Sequence, residues 1–177
     1  FRRRTGKSIE MCPAHRVPLL EDVLRLVMEQ NRTRVSIQPK MDCVADAIAL
    51  VKSLGAERWV GFNDGNLQYM AEVKRLAPEI VVFWDRGADT DIEQDIQISQ
   101  QHGFDALVLH SSGVTVEKVQ QIKAAGLEAG AWTVNDRQTM ESLLAMGIER
   151  IYTDYPRTLL EVKKGQERMH KSDQLTD

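Results

Sequence analysis

Only two cysteines, Cys12 and Cys43, occur in the 177 residues, with neither metal-ligand spacing nor the density of a disulfide scaffold. Idle thiols are the expectation, and they leave the compartment open, leaning towards the cytoplasm. No apolar run approaches the roughly 18 residues that a membrane span needs. No signal peptide is visible, but the chain begins with Phe1 and not Met, so that lack excludes no leader. There is no basic stripe with interleaved aromatics, and the net charge of −3 argues against a nucleic-acid binder. The Arg2-Arg3-Arg4 run reads as a solvated end. Two further absences concern architecture. No G-x-G-x-x-G run follows the first strand, which leaves a dinucleotide-binding fold without local support, and no Asn-Gly pair signals a β-hairpin.

What is present is an ordinary globular composition, 42% hydrophobic and 28% charged, in a chain long enough to bury a core. Six β-rich segments recur, at Arg34 to Gln38, Arg58 to Phe62, Ile80 to Trp84, Ala106 to His110, Gly130 to Val134 and Arg150 to Thr153. Helical patterns lie between them. Pro18 to Gln30 opens with proline at a first helical position and carries apolar residues at i, i+3 and i+4. Asp42 to Leu54 ends at Gly55, and Asn66 to Leu76 stops before Ala77-Pro78. Ile92 to His102, Thr115 to Ala125 and Arg137 to Met146 each end at a glycine, namely Gly103, Gly126 and Gly147.

Strands alternating with helices predict a parallel sheet covered by helices, an α/β fold. The regular period of strand plus helix predicts a (β/α)8 barrel of the TIM type, of which about six of the eight units are visible. The two others are expected before residue 1. The organisation read from the chain is an N-terminal loop segment (1–17), a partial barrel (18–163) and a polar, disordered tail (164–177).

In a barrel the loops at the C-terminal ends of strands form the functional face. Those ends carry Gln38 with Lys40, Phe62 with Asn63 and Asp64, Trp84 with Asp85, His110 with Ser111, Trp132 with Asn135, and Asp154. A lysine there suits a phosphoryl oxygen, and an equally good reading is a strand-end lysine in solvent. Trp132 suits either a pocket floor or the upper core layer. Asp154 reads first as a helix cap, and His110 as a satisfied structural group. No His/Asp/Glu cluster with metal spacing and no Ser-His-Asp arrangement is visible.

At these residues the chain resembles the glycerophosphodiester phosphodiesterase family. Gly126 to Asp136 (GLEAGAWTVND), followed by MGIERIYTDYP, is similar to the family's "W-T-V-N" strand and its "T-D-x-P" ending. Val17 to Leu24 (VPLLEDVL) resembles the "I-P-T-L-E-E-V-L" helix. Val60-Gly61-Phe62-Asn63 with Leu67, Lys74 and Pro78 resembles the segment that begins "S-F", with glycine for serine. The resemblance runs from about residue 5 to 163.

The resemblance implies metal-assisted hydrolysis of a glycerophosphodiester, a small-molecule substrate, to sn-glycerol 3-phosphate and an alcohol, with a divalent ion, Mg or Ca. It implies Lys40, Phe62, Trp132 and Asn135 as substrate-binding residues. The family's "E-x-K" strand end, whose glutamate holds metal, reads Gln38-Pro39-Lys40, so glutamine stands at a ligand position and offers a carbonyl oxygen without charge. The "H-R-G" and "H-D" histidine motifs and the "E-x-D" carboxylates have no counterpart. His15-Arg16 does not fit, because no apolar strand precedes it and Val17-Pro18 follows. The isolated chain is therefore expected to be inactive, lacking an N-terminal barrel segment or an oligomer partner. The alternatives are a non-catalytic module that binds phosphodiesters or a partner and, outside the family, a phosphate-binding barrel of the indole-glycerol-phosphate synthase type. Against the last, the loops Asn135-Asp136 and Asp154-Tyr155-Pro156 carry no glycine.

Overall fold

A computed structural model describes residues 17–173, with side chains described to residue 165. Cys12, His15 and Arg16 lie outside the described residues, as do nearly all of the expected N-terminal loop segment and the last four positions of the tail.

Among the described residues seven α-helices and six strands alternate: α1 (Leu20–Gln30), β1 (Val35–Ile37), α2 (Val44–Leu54), β2 (Val60–Asp64), α3 (Leu67–Leu76), β3 (Val81–Arg86), α4 (Ile92–His102), β4 (Ala106–His110), α5 (Val116–Ala124), β5 (Glu128–Trp132), α6 (Arg137–Ala145), β6 (Arg150–Ile151) and α7 (Pro156–Asp173). All strand pairs are parallel, and spatial order follows sequence order from β1 to β6. A doubly wound sheet would reverse order at a switch point. A sheet that adds each strand beside the last, always with a helix between, is a barrel still open between β1 and β6. None of the described helices is long and apolar enough to cross a membrane.

Local signals explain most boundaries. Asn66 begins α3 by accepting from the backbone N–H of Gln68 and Tyr69, and Asp136 begins α6 by accepting from Gln138 and Thr139. Gly55 and Gly103 close α2 and α4 in the left-handed region, at φ 63° and 70°, where a Cβ would be strained. The structure moves several boundaries, among them those of α1, β2 and β5. α1 begins at Leu20, with Pro18 ahead of its cap residue Leu19. Arg58 and Trp59 sit in a 3-10 turn, so β2 begins at Val60 and reaches Asp64. β5 starts at Glu128 and ends at Trp132, where the Trp132–Thr133 peptide is cis.

The last helix also differs from expectation. α7 runs to Asp173, through ten positions of the polar stretch in which composition predicts disorder. Lys, Gln, Glu, Arg and Met are good helix formers, and polarity by itself does not oppose a helix.

Strand alternation sorts the core into two layers. Val60, Phe62, Val82, Trp84, Leu107, Leu109, Ala129 and Ala131 pack with the buried faces of the helices, including Leu24, Val51, Met70, Val73, Ile122 and Met140. The residues between them face the concave side, where Phe83, Ala106 and Val108 form a second cluster with Val81, Trp132 and Tyr152. Glycine makes room for that layer at Gly61, where an added Cβ would lie 2.7 Å from the Phe83 ring and 2.8 Å from a Val81 methyl. The serine of the resembled motif does not fit here without displacing Phe83.

Candidate functional site

The C-terminal ends of the strands enclose a cleft of about 520 Å³, lined by Gln38, Asp64, Gly65, Asp85, Arg86, Gly87 and Trp132. Its floor is a hydrogen-bonded row across three strands. Ser36 Oγ donates to Asn63 Oδ1 at 2.7 Å, and Asn63 Nδ2 donates to Asp85 Oδ2 at 2.9 Å. Asp85 Oδ1 is buried without a hydrogen-bond partner, and so is the Tyr152 hydroxyl. Burial is the main cause that pushes the Asp85 carboxyl up to about 6; the bond from Asn63 opposes it, the nearby Asp64 charge adds to it, and Lys40 opposes it. Burial, with Asp85 close by, also raises Tyr152 above the usual phenol range.

Trp132 forms one wall. Its indole Nε1 donates to Val108 O at 3.1 Å, and its ring stands edge-on to His110, with centroids 4.9 Å apart. His110 is held by Ser112, at 2.8 Å between Nδ1 and Oγ, and serves to support the tryptophan. Arg86 stacks on Trp84 at 4.1 Å and binds the buried Asp95 at 2.9 Å, so its charge is largely spent on that pairing.

The expected site residues divide. Gln38 and Trp132 line the cleft. Lys40 is exposed beyond the end of β1, near enough for its charge to act on Asp85. Phe62, expected to touch substrate, is fully buried among the helices with Val60 and Val82. The parity of β2 decides this: Gly61 and Asn63 face the concave side, and Phe62 cannot. Asn135, also expected at substrate, turns to the neighbouring loop. Its Oδ1 accepts from Asp154 N at 2.9 Å and Thr153 Oγ1 at 3.2 Å, while its Nδ2 donates to Asp154 Oδ2 at 2.9 Å. That network also engages Asp154, which was expected to cap a helix. The two C-terminal motifs thus tie two loops to each other. Lys74 is similarly structural, paired with Asp105 at 2.7 Å.

Asn63 is among the strand-end residues that the sequence singles out, whereas Ser36 and Tyr152 at the concave face are not. Alternation along β2 puts Asn63 on the concave side and Phe62 beneath the helices. Tyr152 lies just past the short β6, where only tertiary contact shows its direction.

A divalent cation needs several anionic or carbonyl oxygens converging on one point. Among the described residues no group of three or more His, Cys, Asp or Glu side chains does so. Asp85 Oδ1 is free for a cation, but Gln38 brings no charge and Asp64 Oδ1 already accepts from the Asn66 N–H at 2.8 Å. The residues described here do not by themselves fit the metal.

Comparison with known proteins accords with this geometry. The model of the glycerophosphoryl diester phosphodiesterase family matches residues 2–158. A glycerophosphodiester phosphodiesterase of Caldanaerobacter subterraneus subsp. tengcongensis is 25% identical over 167 residues, covering 88% of this chain and 66% of the relative. The crystal structure of a glycerophosphodiester phosphodiesterase from Parabacteroides distasonis superposes with a TM-score of 0.74 at 21% identity, covering 85% of this chain and 65% of the other. A phosphodiesterase from Oleispira antarctica, solved in complex with its product sn-glycerol-3-phosphate, gives a TM-score of 0.71 at 22% identity, over 83% and 61% of the two chains. The chain therefore spans just under two thirds of the length of these relatives.

Proposed function

The chain belongs to the glycerophosphoryl diester phosphodiesterase family, and on that premise we propose that it forms the substrate-recognising side of such a domain and does not hydrolyse on its own. The observation that carries this reading is the cleft at the strand ends, walled by Trp132 and bounded by Gln38, Asp64 and Asp85. Lys40 at its mouth meets the phosphodiester anion, and the fixed indole of Trp132 takes the glycerol side. Hydrolysis requires a water oxygen to bond to phosphorus while the P–O bond to the alcohol breaks and the alcohol leaves with a proton. Such a reaction needs an acid-base pair and cationic stabilisation of the phosphoryl oxygens, supplied in this family with a Mg or Ca ion. The described residues provide the lysine and lack the rest. The open edges at β1 and β6 are where further barrel strands, from an N-terminal segment or a second copy, would pair.

The test is an assay of the 177-residue chain with glycerophosphocholine, with Mg or Ca. No release of glycerol 3-phosphate is expected. Metal-dependent release that Lys40→Ala abolishes would overturn the reading.

Gln38 favours a second reading, a module that binds phosphodiesters or a partner without cleaving. A chimera that joins this chain to the missing family motifs separates the two. Robust activity with glutamine in place refutes the binding module, whereas Gln38→Glu giving a large gain in metal affinity without activity supports it.

A further inference from the structure

At the opposite end of the strands, a second concavity of about 450 Å³ is lined by Asn31, Arg32, Arg34, Arg58 and Trp59. Two loops build it, one leading from α1 into β1 and the other from α2 into β2. The first is shaped by Asn31 in the left-handed region at φ 52° and braced by a hydrogen bond from Gln30 Nε2 to Thr33 Oγ1. Arg32, at a bend, and Arg34 stand in the segment entering β1, and both line the concavity. The parallel register pairs Val35 with Val60, so the segments that enter β1 and β2, carrying Arg34 and Arg58, arrive side by side. The Arg58 guanidinium rests on the Trp59 ring, 4.8 Å from its centroid, which limits its freedom.

Three guanidinium groups thus share one concavity, and no ion pair among the described residues involves any of them. Five of the six other arginines with described side chains find acids, Arg25, Arg75, Arg86, Arg137 and Arg150 each pairing with Glu or Asp, whereas the exposed Arg157 does not. Arg32, Arg34 and Arg58 are all exposed, so water screens their mutual repulsion, and an anion seated among them gains from all three charges. Planar, forked donors that remain charged at all relevant pH values suit the tetrahedral oxygens of phosphate.

We propose that this concavity is a binding site for a phosphate monoester dianion, separate from the cleft at the other end of the strands. Arg34 and Arg58 supply the forks from neighbouring strand entries, and Arg32 adds the third charge. The dianion is either a soluble phosphomonoester or the exposed headgroup of a phosphomonoester lipid; both present the same chemistry.

The full chain is titrated with inorganic phosphate at fixed ionic strength, set with sodium chloride, while the indole N–H signals of Trp59 and Trp132 are followed by NMR. A saturable shift at Trp59, with a dissociation constant in the range of about 1 mM, is the expected result. Arg34→Ala with Arg58→Ala weakens binding by at least about tenfold. Arg34→Lys with Arg58→Lys keeps charge and removes the forks, and weakens it by about threefold or more. Circular dichroism confirms that each variant folds, and the lysine pair stands in should the alanine pair fail to do so. Sedimentation with phosphatidylcholine vesicles, with and without phosphatidic acid, assigns the source. Co-sedimentation lost in the lysine variant identifies the lipid, and phosphate binding without co-sedimentation identifies a soluble ligand. A shift confined to Trp132, no saturation at Trp59 by about 10 mM, or equal affinity in the lysine variant overturns the proposal.

Discussion

Replacing Asp85 by asparagine should stabilise the protein at neutral pH and leave it unchanged in acid. One Asp85 oxygen accepts from Asn63 Nδ2 at 2.9 Å, while the other is buried without a partner. The folded carboxyl therefore holds its proton up to about 6, against an ordinary value of 3.8, chiefly because burial disfavours the anion. Between those two values the folded state binds the extra proton. The contribution to stability is fully present below pH 3.8 and is lost as pH rises through about 6. A shift of that size corresponds to ~3 kcal/mol. The cleft is partly open to water, and screening reduces the expectation to ~1–2 kcal/mol. Asparagine keeps the shape and the acceptor for Asn63 and cannot ionise. Urea unfolding of both proteins, followed by circular dichroism from pH 3.5 to 7.5, measures the difference directly, since every other carboxylate is common to both. Asp85→Asn should gain ~1–2 kcal/mol at pH 7.5, a rise in Tm of about 3–6 °C for a chain of this length, and nothing at pH 3.5. A gain that is constant across pH, or a loss at pH 7.5, would refute the reasoning, because the Asp85 charge would then be compensated in the folded state.

Gly61→Ser, which restores the residue of the resembled motif, should destabilise by about 1–3 kcal/mol, because its Cβ meets Phe83 and Val81; thermal unfolding checks this. Phe62→Ala should cost about 3–5 kcal/mol in denaturant unfolding, the penalty of a cavity in a core and not of a lost ligand contact. Asn66→Ala removes the acceptor for the Gln68 and Tyr69 N–H groups and should lower stability by about 1 kcal/mol, with hydrogen exchange faster in the first turn of α3.

Much of the scaffold is legible without coordinates. Ile92–His102 and Ala106–His110 appear in the structure with the bounds that pattern and capping glycine imply. These are short-range signals, set by periodicity within one element and by the conformation of single residues. The site is less legible. Gln38 and Trp132 emerge from strand ends alone, since the direction of a parallel sheet puts all such ends on one face. An end position does not say which way a side chain points: Phe62 lies buried beneath the helices, and Asn135 bonds to the neighbouring loop.

The sequence by itself determined the repeating α/β order, the family and the neutral glutamine at position 38. Only the tertiary structure decided which residues share a surface. It brought Asn63, Asp85 and Tyr152 together on the concave face, and it set Arg34 beside Arg58 at the opposite end. Side-chain direction in a strand has a period of two, so a shift of one residue at a boundary moves every side chain to the other face. Lateral pairing between strands far apart in the chain then selects the neighbours, and no local pattern records that choice.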